Sequence, residues 1–347
     1  MQVRTLDPVA DAEAWMRLLG AHRHDFYHLP GYLSMSASAD DEAIGIEVRD
    51  GESSLFQPLV LRPISGSNLR DATSPYGYPG PIIRVGSEAE LSGFVERAAS
   101  ALLDELARRR VIACFVRLHP LLTQGTDGLA KVGFVERHGD TVSVDLTQDE
   151  RAISRGMRSG HRTEIKQARK QGQRAYVDET WRHFEDFYEI YNETMERLGA
   201  QPSYFFPRDY YERLREALGP RLHLGVVDIE GTVAAAGLFT ETSGIVQYHL
   251  SGTRGEFMRQ RPTKVLLDEL IHWAKQRGNR DFHLGGGVGG EGDSLFRFKA
   301  GFSKRHHPFH TWRAVGDRHA YERLARERGV PGSAEDLSGF FPAYRRG

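Results

Sequence analysis

Apolar residues along the chain follow helical and strand rhythms, and these rhythms occur twice in the same order. Ala10 to Leu19 has helical spacing, and 43–49 and 54–62 alternate as strands on either side of Asp50-Gly51, a dipeptide suited to a tight hairpin. The segment TSPYGYPGP at 73–81 holds too much Gly and Pro for regular structure. From Glu88 to Arg110, residues Leu91, Phe94, Val95, Ala98, Leu102 and Leu106 line one helical face; 111–118 is predicted as a buried strand, and strand 141–146 closes this half.

After an added helical segment the order returns. Trp181, Phe184, Tyr188, Tyr191, Met195 and Leu198 step by three and four and stop before Gly199, a helix with a glycine cap. A shorter helix covers about 208–218. Strands are predicted at 222–229, 232–240 and 244–251, with Glu230-Gly231 as the first turn. Pro262 opens a helix whose face is Val265, Leu266, Leu270, Ile271 and Trp273, and Gly278 closes it. Strand 281–284, a glycine-rich loop, a short helix at 293–300 and a strand near 307–314 follow. Both halves thus hold a meander, a loop, a long helix and a further strand, which predicts one α/β unit used twice.

A length of 347 residues suits two cores, and 39% hydrophobic with 27% charged residues suits a globular protein. No apolar run has signal-peptide or membrane-spanning length, so a cytoplasmic location is expected. The single cysteine, Cys114, lies in the apolar run VIACFVRL and is expected to be a buried, inert thiol. That sets aside disulfides and thiol catalysis. A net charge of −1 leaves no global pull toward polyanions, so any such site must be local.

One local site stands out. Residues 151–174 carry eight Lys or Arg and one acid, Glu164. Arg151, Arg155, Arg158, Arg162, Lys166 and Arg169 are spaced 4, 3, 4, 4 and 3 apart, so a continuous helix would carry them as one stripe. Like charges at i,i+4 destabilise a helix by about 0.2–0.5 kcal/mol per pair, so a stripe without acids points to a polyanion partner rather than an ordinary solvated face. Lys304 and Arg305 join this phosphate-binding set. On this reading Arg162→Ala removes one phosphate contact and leaves the fold intact.

Other motifs carry less. Gly285, Gly287 and Gly290 match the dinucleotide-binding glycine pattern, but its ribose-holding acid is missing from the neighbourhood SKRHHPFHTW; Gly286 and Gly287 instead suit close backbone approach to a substrate. His306, His307 and His310 cluster in a basic run without a carboxylate-supported pair, and no metal site is expected. His22, His24 and His28 around Asp25 suit local hydrogen bonding.

The segment DFHLGGGVGGEGDSLFRFKAGF at 281–302 resembles the end of an acetyltransferase-fold domain of the Fem aminoacyltransferase family, in which a glycine-rich turn leads to Phe-Lys and then Gly-Phe. RSGHRTEIKQARKQG (158–172), FYEIYNETMERLGAQPSYFF (187–206), SPYGYPGP and FVRLHP resemble further Fem segments in the family's order, covering about 25–315. The resemblance implies two tandem GNAT-like domains with mixed sheets: 1–146 with 312–347, and 147–311, which carries the acyl-transfer site. It implies aminoacyl transfer from aminoacyl-tRNA to an amine of a peptide, cell-wall precursor or natural product, with no tightly bound cofactor. The family's Phe-Lys pair falls on Phe298 and Lys299, and this lysine lies in the family's acyl-transfer channel.

Two departures bear on the donor. Acyl-CoA enzymes of this fold cradle pyrophosphate on a glycine-rich loop, whereas RQRPTK (259–264) has Pro262 and Lys264 where glycines belong. Their tyrosine acid maps onto Arg297. The early Fem segment with a basic residue for a nucleotide-linked acceptor reads HLPGYLSMSA (28–37), without Lys or Arg.

The expected reaction is aminolysis of an activated ester, with Lys299 stabilising the oxyanion, Arg297 and Phe298 beside it, and His249 or Glu256 as candidate bases. Tyr76, Tyr78, Tyr204, Tyr248 and Arg254 are candidate substrate contacts, along with Gly286 and Gly287. An acyl-CoA-dependent N-acyltransferase is the alternative enzyme; a catalytically silent nucleic-acid or glycan-binding module is the alternative of another class.

Overall fold

The computed structural model describes residues 1–287 and 293–346. Two compact units emerge, Met1–Gly139 with Pro308–Gly347 and Asp140–His307. The changeovers fall at 139/140 and 307/308 rather than 146/147 and 311/312, because strands begin earlier than their apolar ends suggest: residues 134–140 and 305–310 are largely polar.

The first unit opens with β1 (Gln2–Leu6), α1 (Ala12–Gly20) and α2 (Pro30–Ser36), then β2 (Glu42–Asp50), β3 (Ser53–Pro63), β4 (Arg70–Thr73) and β5 (Ile82–Arg84). Helix α3 (Leu91–Arg108) leads to β6 (Val111–Arg117), α4 (Thr126–Leu129) and β7 (Phe134–Asp145). Helix α3 forms because its apolar spacing gives one continuous face: Phe94, Val95, Ala98, Leu102 and Leu106 are buried against Ile46, Val48, Leu55 and Leu59 of the sheet.

The second unit holds α5 (Glu150–Gly156), α6 (Ser159–Lys170), β8 (Arg174–Val177), α7 (Phe184–Arg197), α8 (Arg208–Leu218), β9 (Leu222–Ile229), β10 (Thr232–Thr242) and β11 (Ile245–Thr253). Helix α9 (Pro262–Gln276), β12 (Asp281–Gly285) and α10 (Ser294–Lys299) complete it; β13 (Arg305–Val315) and α11 (Arg318–Glu327) follow. Val265, Leu266, Leu267, Leu270 and Ile271 of α9 are fully buried on the sheet, and each such side chain contributes about 1.5–3 kcal/mol of transfer free energy.

The repeat is visible in strand pairing. In the first unit β2, β3 and β4 pair antiparallel, α3 crosses over, β6 pairs parallel to β4, and β13 runs antiparallel to β6. In the second, β9, β10 and β11 pair antiparallel, α9 crosses over, β12 pairs parallel to β11, and β7 runs antiparallel to β12. Each sheet is therefore mixed. Cys114 is buried in the first core, and burial pushes its thiol well above the ordinary range. Among the described residues, no helix is long and apolar enough to cross a membrane.

Candidate functional site

The second unit's sheet opens at one point. Strands β11 and β12 pair only at Ile245–Asp281, Val246–Phe282 and Gln247–His283, although β11 continues to Thr253. Beside this, β11 bulges: Leu238 of β10 lies opposite Leu250 and Phe239 opposite Tyr248, which leaves His249 as the extra residue. A bulge bends its strand and re-aims side chains.

Helix α10 brings Lys299 to the opening. Asp293 caps the helix by accepting the Phe296 N–H at 2.7 Å. Lys299 is 8% exposed, and its Nζ donates to the Gly286 carbonyl at 2.7 Å. The ammonium lies 5.7 Å from the Tyr248 ring centroid, within cation–π range. Tyr248 stacks on Phe239, and its hydroxyl is hydrogen-bonded with Ser251 Oγ. A Cβ on Gly287 would sit 1.7 Å from the Asp293 carboxylate, so any larger residue there would displace the helix cap.

Burial pushes Lys299 down to about 8, with Asp293 pulling the other way. The side chain therefore stays mostly cationic at pH 7 in a site that shields it from water. Such a buried cation strengthens any interaction with negative charge that develops nearby. His249 is pushed by burial to about 4, so it is neutral at pH 7 and a weak proton acceptor.

Other expected site residues are placed differently. Arg297 is exposed, two positions from Lys299 and so about 200° around the helix, and its carbonyl accepts from Arg158 Nη1 at 3.2 Å. Phe298 packs in the core near His161 and Phe302. Arg254 donates to the Val233 carbonyl at 3.2 Å and to Asp186 at 3.3 Å, tying β10 and α7 together. Glu256 is exposed. Tyr204 is partly exposed and accepts the Tyr191 hydroxyl on its carbonyl. Tyr76 and Tyr78 belong to the first unit, where Tyr78 packs on Tyr27, His119 and Phe309. Gly290 lies outside the described residues.

The basic segment is not one stripe. Met157 and Arg158 are extended and end α5 before α6 begins, so the helical rotation linking Arg151 and Arg155 to the later cations is lost. Arg162 donates to the Ser154 and Met157 carbonyls, satisfying the end of α5. Arg169 pairs with Asp268 at 3.0 Å and Glu269 at 2.9 Å, and Arg305 with buried Asp281 at 2.5 Å. Arg151, Arg155, Arg158, Lys166, Lys170 and Lys304 remain exposed, and Lys166 and Lys170 line a groove of about 510 Å³ between α6 and α9.

The start of α9 was only partly legible from sequence. Pro262 has no N–H, the Lys264 N–H donates to the Arg261 carbonyl at 3.1 Å, and the Thr263 hydroxyl is 2.6 Å from that of Thr253. Glu164, the lone acid of the basic segment, bridges Arg261 and Lys264. Hydrogen bonding from Lys264 pulls Glu164 below the ordinary carboxylate range, with Arg261 adding to the effect. The Lys264 N–H and the side-chain cations of Arg261 and Lys264 are thus already engaged, and a carboxylate stands between the two cations. The signal in the sequence was Glu164 itself, an isolated acid in a basic run.

Among the described residues, no group of three His, Cys, Asp or Glu could hold a metal ion. His307 Nε2 is 2.7 Å from Ser143 Oγ.

Residues 155–300 match the family model described as an acetyltransferase (GNAT) domain. No curated protein sequence matches. Among solved structures, FemX is 14% identical, with 93% of this chain and 99% of that chain covered at a TM-score of 0.72. The C-terminal domain of a putative lysylphosphatidylglycerol synthetase from Agrobacterium fabrum is 14% identical, covering 90% and 94% at 0.56. A tandem GNAT protein from the clavulanic acid biosynthesis pathway is 11% identical, covering 91% and 99% at 0.52. The chain thus has the Fem-like tandem GNAT fold, with an acetyltransferase (GNAT) domain in residues 155–300.

Proposed function

We propose that this chain is an acyltransferase that forms an amide by moving an aminoacyl group from aminoacyl-tRNA to an amine. The observation that carries the reading is the buried Lys299 ammonium at the parting of β11 and β12. A neutral amine attacks the ester carbonyl, a C–N bond forms and the carbonyl oxygen becomes an oxyanion. Lys299 stabilises that charge. The ester C–O bond then breaks, and the proton lost by the amine passes to the departing ribose oxygen, so no protein base of ordinary strength is required. The weakness of His249 as a base suits this route.

The start of α9 supports a donor other than CoA. Glu164 and Pro262 disfavour CoA pyrophosphate, while exposed Arg155, Arg158, Lys166 and Lys170 supply local positive charge for a phosphate backbone. The test offers labelled aminoacyl-tRNA and labelled acetyl-CoA separately to the pure protein with a panel of primary amines. Amide formed from the tRNA donor supports the reading. Tight acetyl-CoA binding and transfer would replace it with an acyl-CoA-dependent N-acyltransferase, and salt-sensitive tRNA binding without transfer from either donor would point to a silent binding module.

A further inference from the structure

Arg117 ends β6 in the first unit, and its guanidinium has no hydrogen-bonding or ion-pair partner among the described residues. Aromatic rings flank it instead: its guanidinium carbon is 4.9 Å from the Phe115 ring centroid and 6.0 Å from that of Tyr76. The groups that bear most on its charge are Tyr76, Tyr32, Tyr78 and another cation, Arg62, with no carboxylate among these four. Arg62 is itself held by buried Asp71 at 2.7 Å, so that carboxylate is taken. Burial pulls Arg117 below the ordinary guanidinium range.

The surroundings are built rather than loose. The tyrosine loop lies so close to the end of β6 that a Cβ on Gly80 would come within 2.7 Å of the His119 nitrogen. His28 Nε2 donates to the Gly80 carbonyl at 2.9 Å, and Gln57 donates to that of Pro79 at 2.8 Å. The Tyr32 hydroxyl donates to the Tyr76 carbonyl at 3.0 Å, which fixes the backbone beneath the Tyr76 ring. Tyr76 is 56% exposed and Arg117 half-buried, so ring and cation can be reached from solvent.

We infer that Arg117 and Tyr76 form an anion subsite for a small molecule carrying a carboxylate or phosphate on a ring. A desolvated guanidinium without an acid partner favours a planar two-oxygen anion, and the exposed aromatic face beside it suits the flat side of a ring. The subsite lies in the unit that lacks Lys299, and the inference does not rest on the choice of acyl donor.

Titration of the full chain with glucuronate, glucose 6-phosphate and glucose tests it, with the arginine side-chain N–H resonances followed by NMR. At least one anionic sugar should bind tenfold or more tightly than glucose and shift the Arg117 Nε–H resonance. Glucuronate alone would assign a carboxylate site, glucose 6-phosphate alone a phosphate site, and equal binding a site that reads charge only. Arg117→Gln should lose at least tenfold in affinity, Arg117→Lys should retain part of it, and Tyr76→Ala should weaken it several-fold. If Arg117→Gln fails to fold, the wild-type resonances and Tyr76→Ala decide. Anions that bind no better than glucose, an unmoved Arg117 resonance, or full binding by folded Arg117→Gln would overturn the inference.

Discussion

In the first unit β4 and β6 pair in parallel as far as Thr73 and Phe115, and in the second β11 and β12 do so as far as Gln247 and His283. Beyond those points the units differ. In the first, the Ser74 N–H donates to the Phe115 carbonyl at 2.8 Å and its hydroxyl accepts the Arg117 N–H at 3.1 Å, so the strands stay joined. In the second, the chain leaves β12 through Gly285, Gly286 and Gly287, and the Gly286 carbonyl is taken by Lys299. Two residues past the last pair, one unit has Arg117 and the other Gly285. The same parallel pair, held shut or allowed to part, yields a capped strand end or a parting with a buried lysine beside it.

The largest effect should come from Lys299. Lys299→Met should lower kcat by about 10²–10³, the usual loss when an oxyanion-stabilising group is removed, while affinity for the donor changes little. Steady-state and single-turnover rates check this. A variant with normal kcat would erase the functional contrast between the units.

The same substitution should change stability in a way that no surface lysine would. Lys299 falls from its ordinary 10.5 to about 8 in the folded protein, so between those values the unfolded chain binds more protons and stability rises with pH. Full protonation below about 8 costs the fold up to about 3 kcal/mol. Lys299→Met should therefore melt higher than the wild type at pH 7, and the gap should close as pH rises toward 10.5. Thermal melts over a pH series measure it.

These contrasts were unevenly legible in the sequence. Helices α3 and α9 declared themselves because their large apolar residues recur at helical spacing and most of them are buried. Helix α11 was missed because two of its four buried residues are alanines in a highly polar segment, and β8 because a four-residue edge strand leaves little pattern. Lys299 was legible as a candidate from its Phe-Lys context. Its burial was not, because that depends on the Gly286 carbonyl thirteen positions away. The basic stripe was overread: spacing alone cannot reveal that Met157 interrupts the helix or that Asp268 and Glu269 neutralise Arg169.

That correction separates two arginine and lysine roles. Arg162→Ala should destabilise the second unit by about 1.5–3 kcal/mol, because it strips a charged donor from two carbonyls at the end of α5, and denaturant melts measure the loss. Lys166→Ala and Arg155→Ala should leave stability within about 0.5 kcal/mol. Each should reduce the slope of log tRNA affinity against log salt by about 0.7–0.9, read by filter binding across a salt series. An unchanged slope in both would remove the phosphate contact from the second unit.

The most direct test of Lys299 as the working cation is the pH dependence of kcat/KM for transfer from aminoacyl-tRNA to a fixed amine whose own pKa lies well below that of Lys299, measured for the wild type and Lys299→Arg. The wild-type rate should first rise as the amine loses its proton and then fall with an alkaline limb near 8, where Lys299 becomes neutral. Lys299→Arg, if active, should lose that limb, since a guanidinium stays charged throughout. A wild-type rate that keeps rising through pH 9, or a limb near 8 that persists in the arginine variant, would contradict the account.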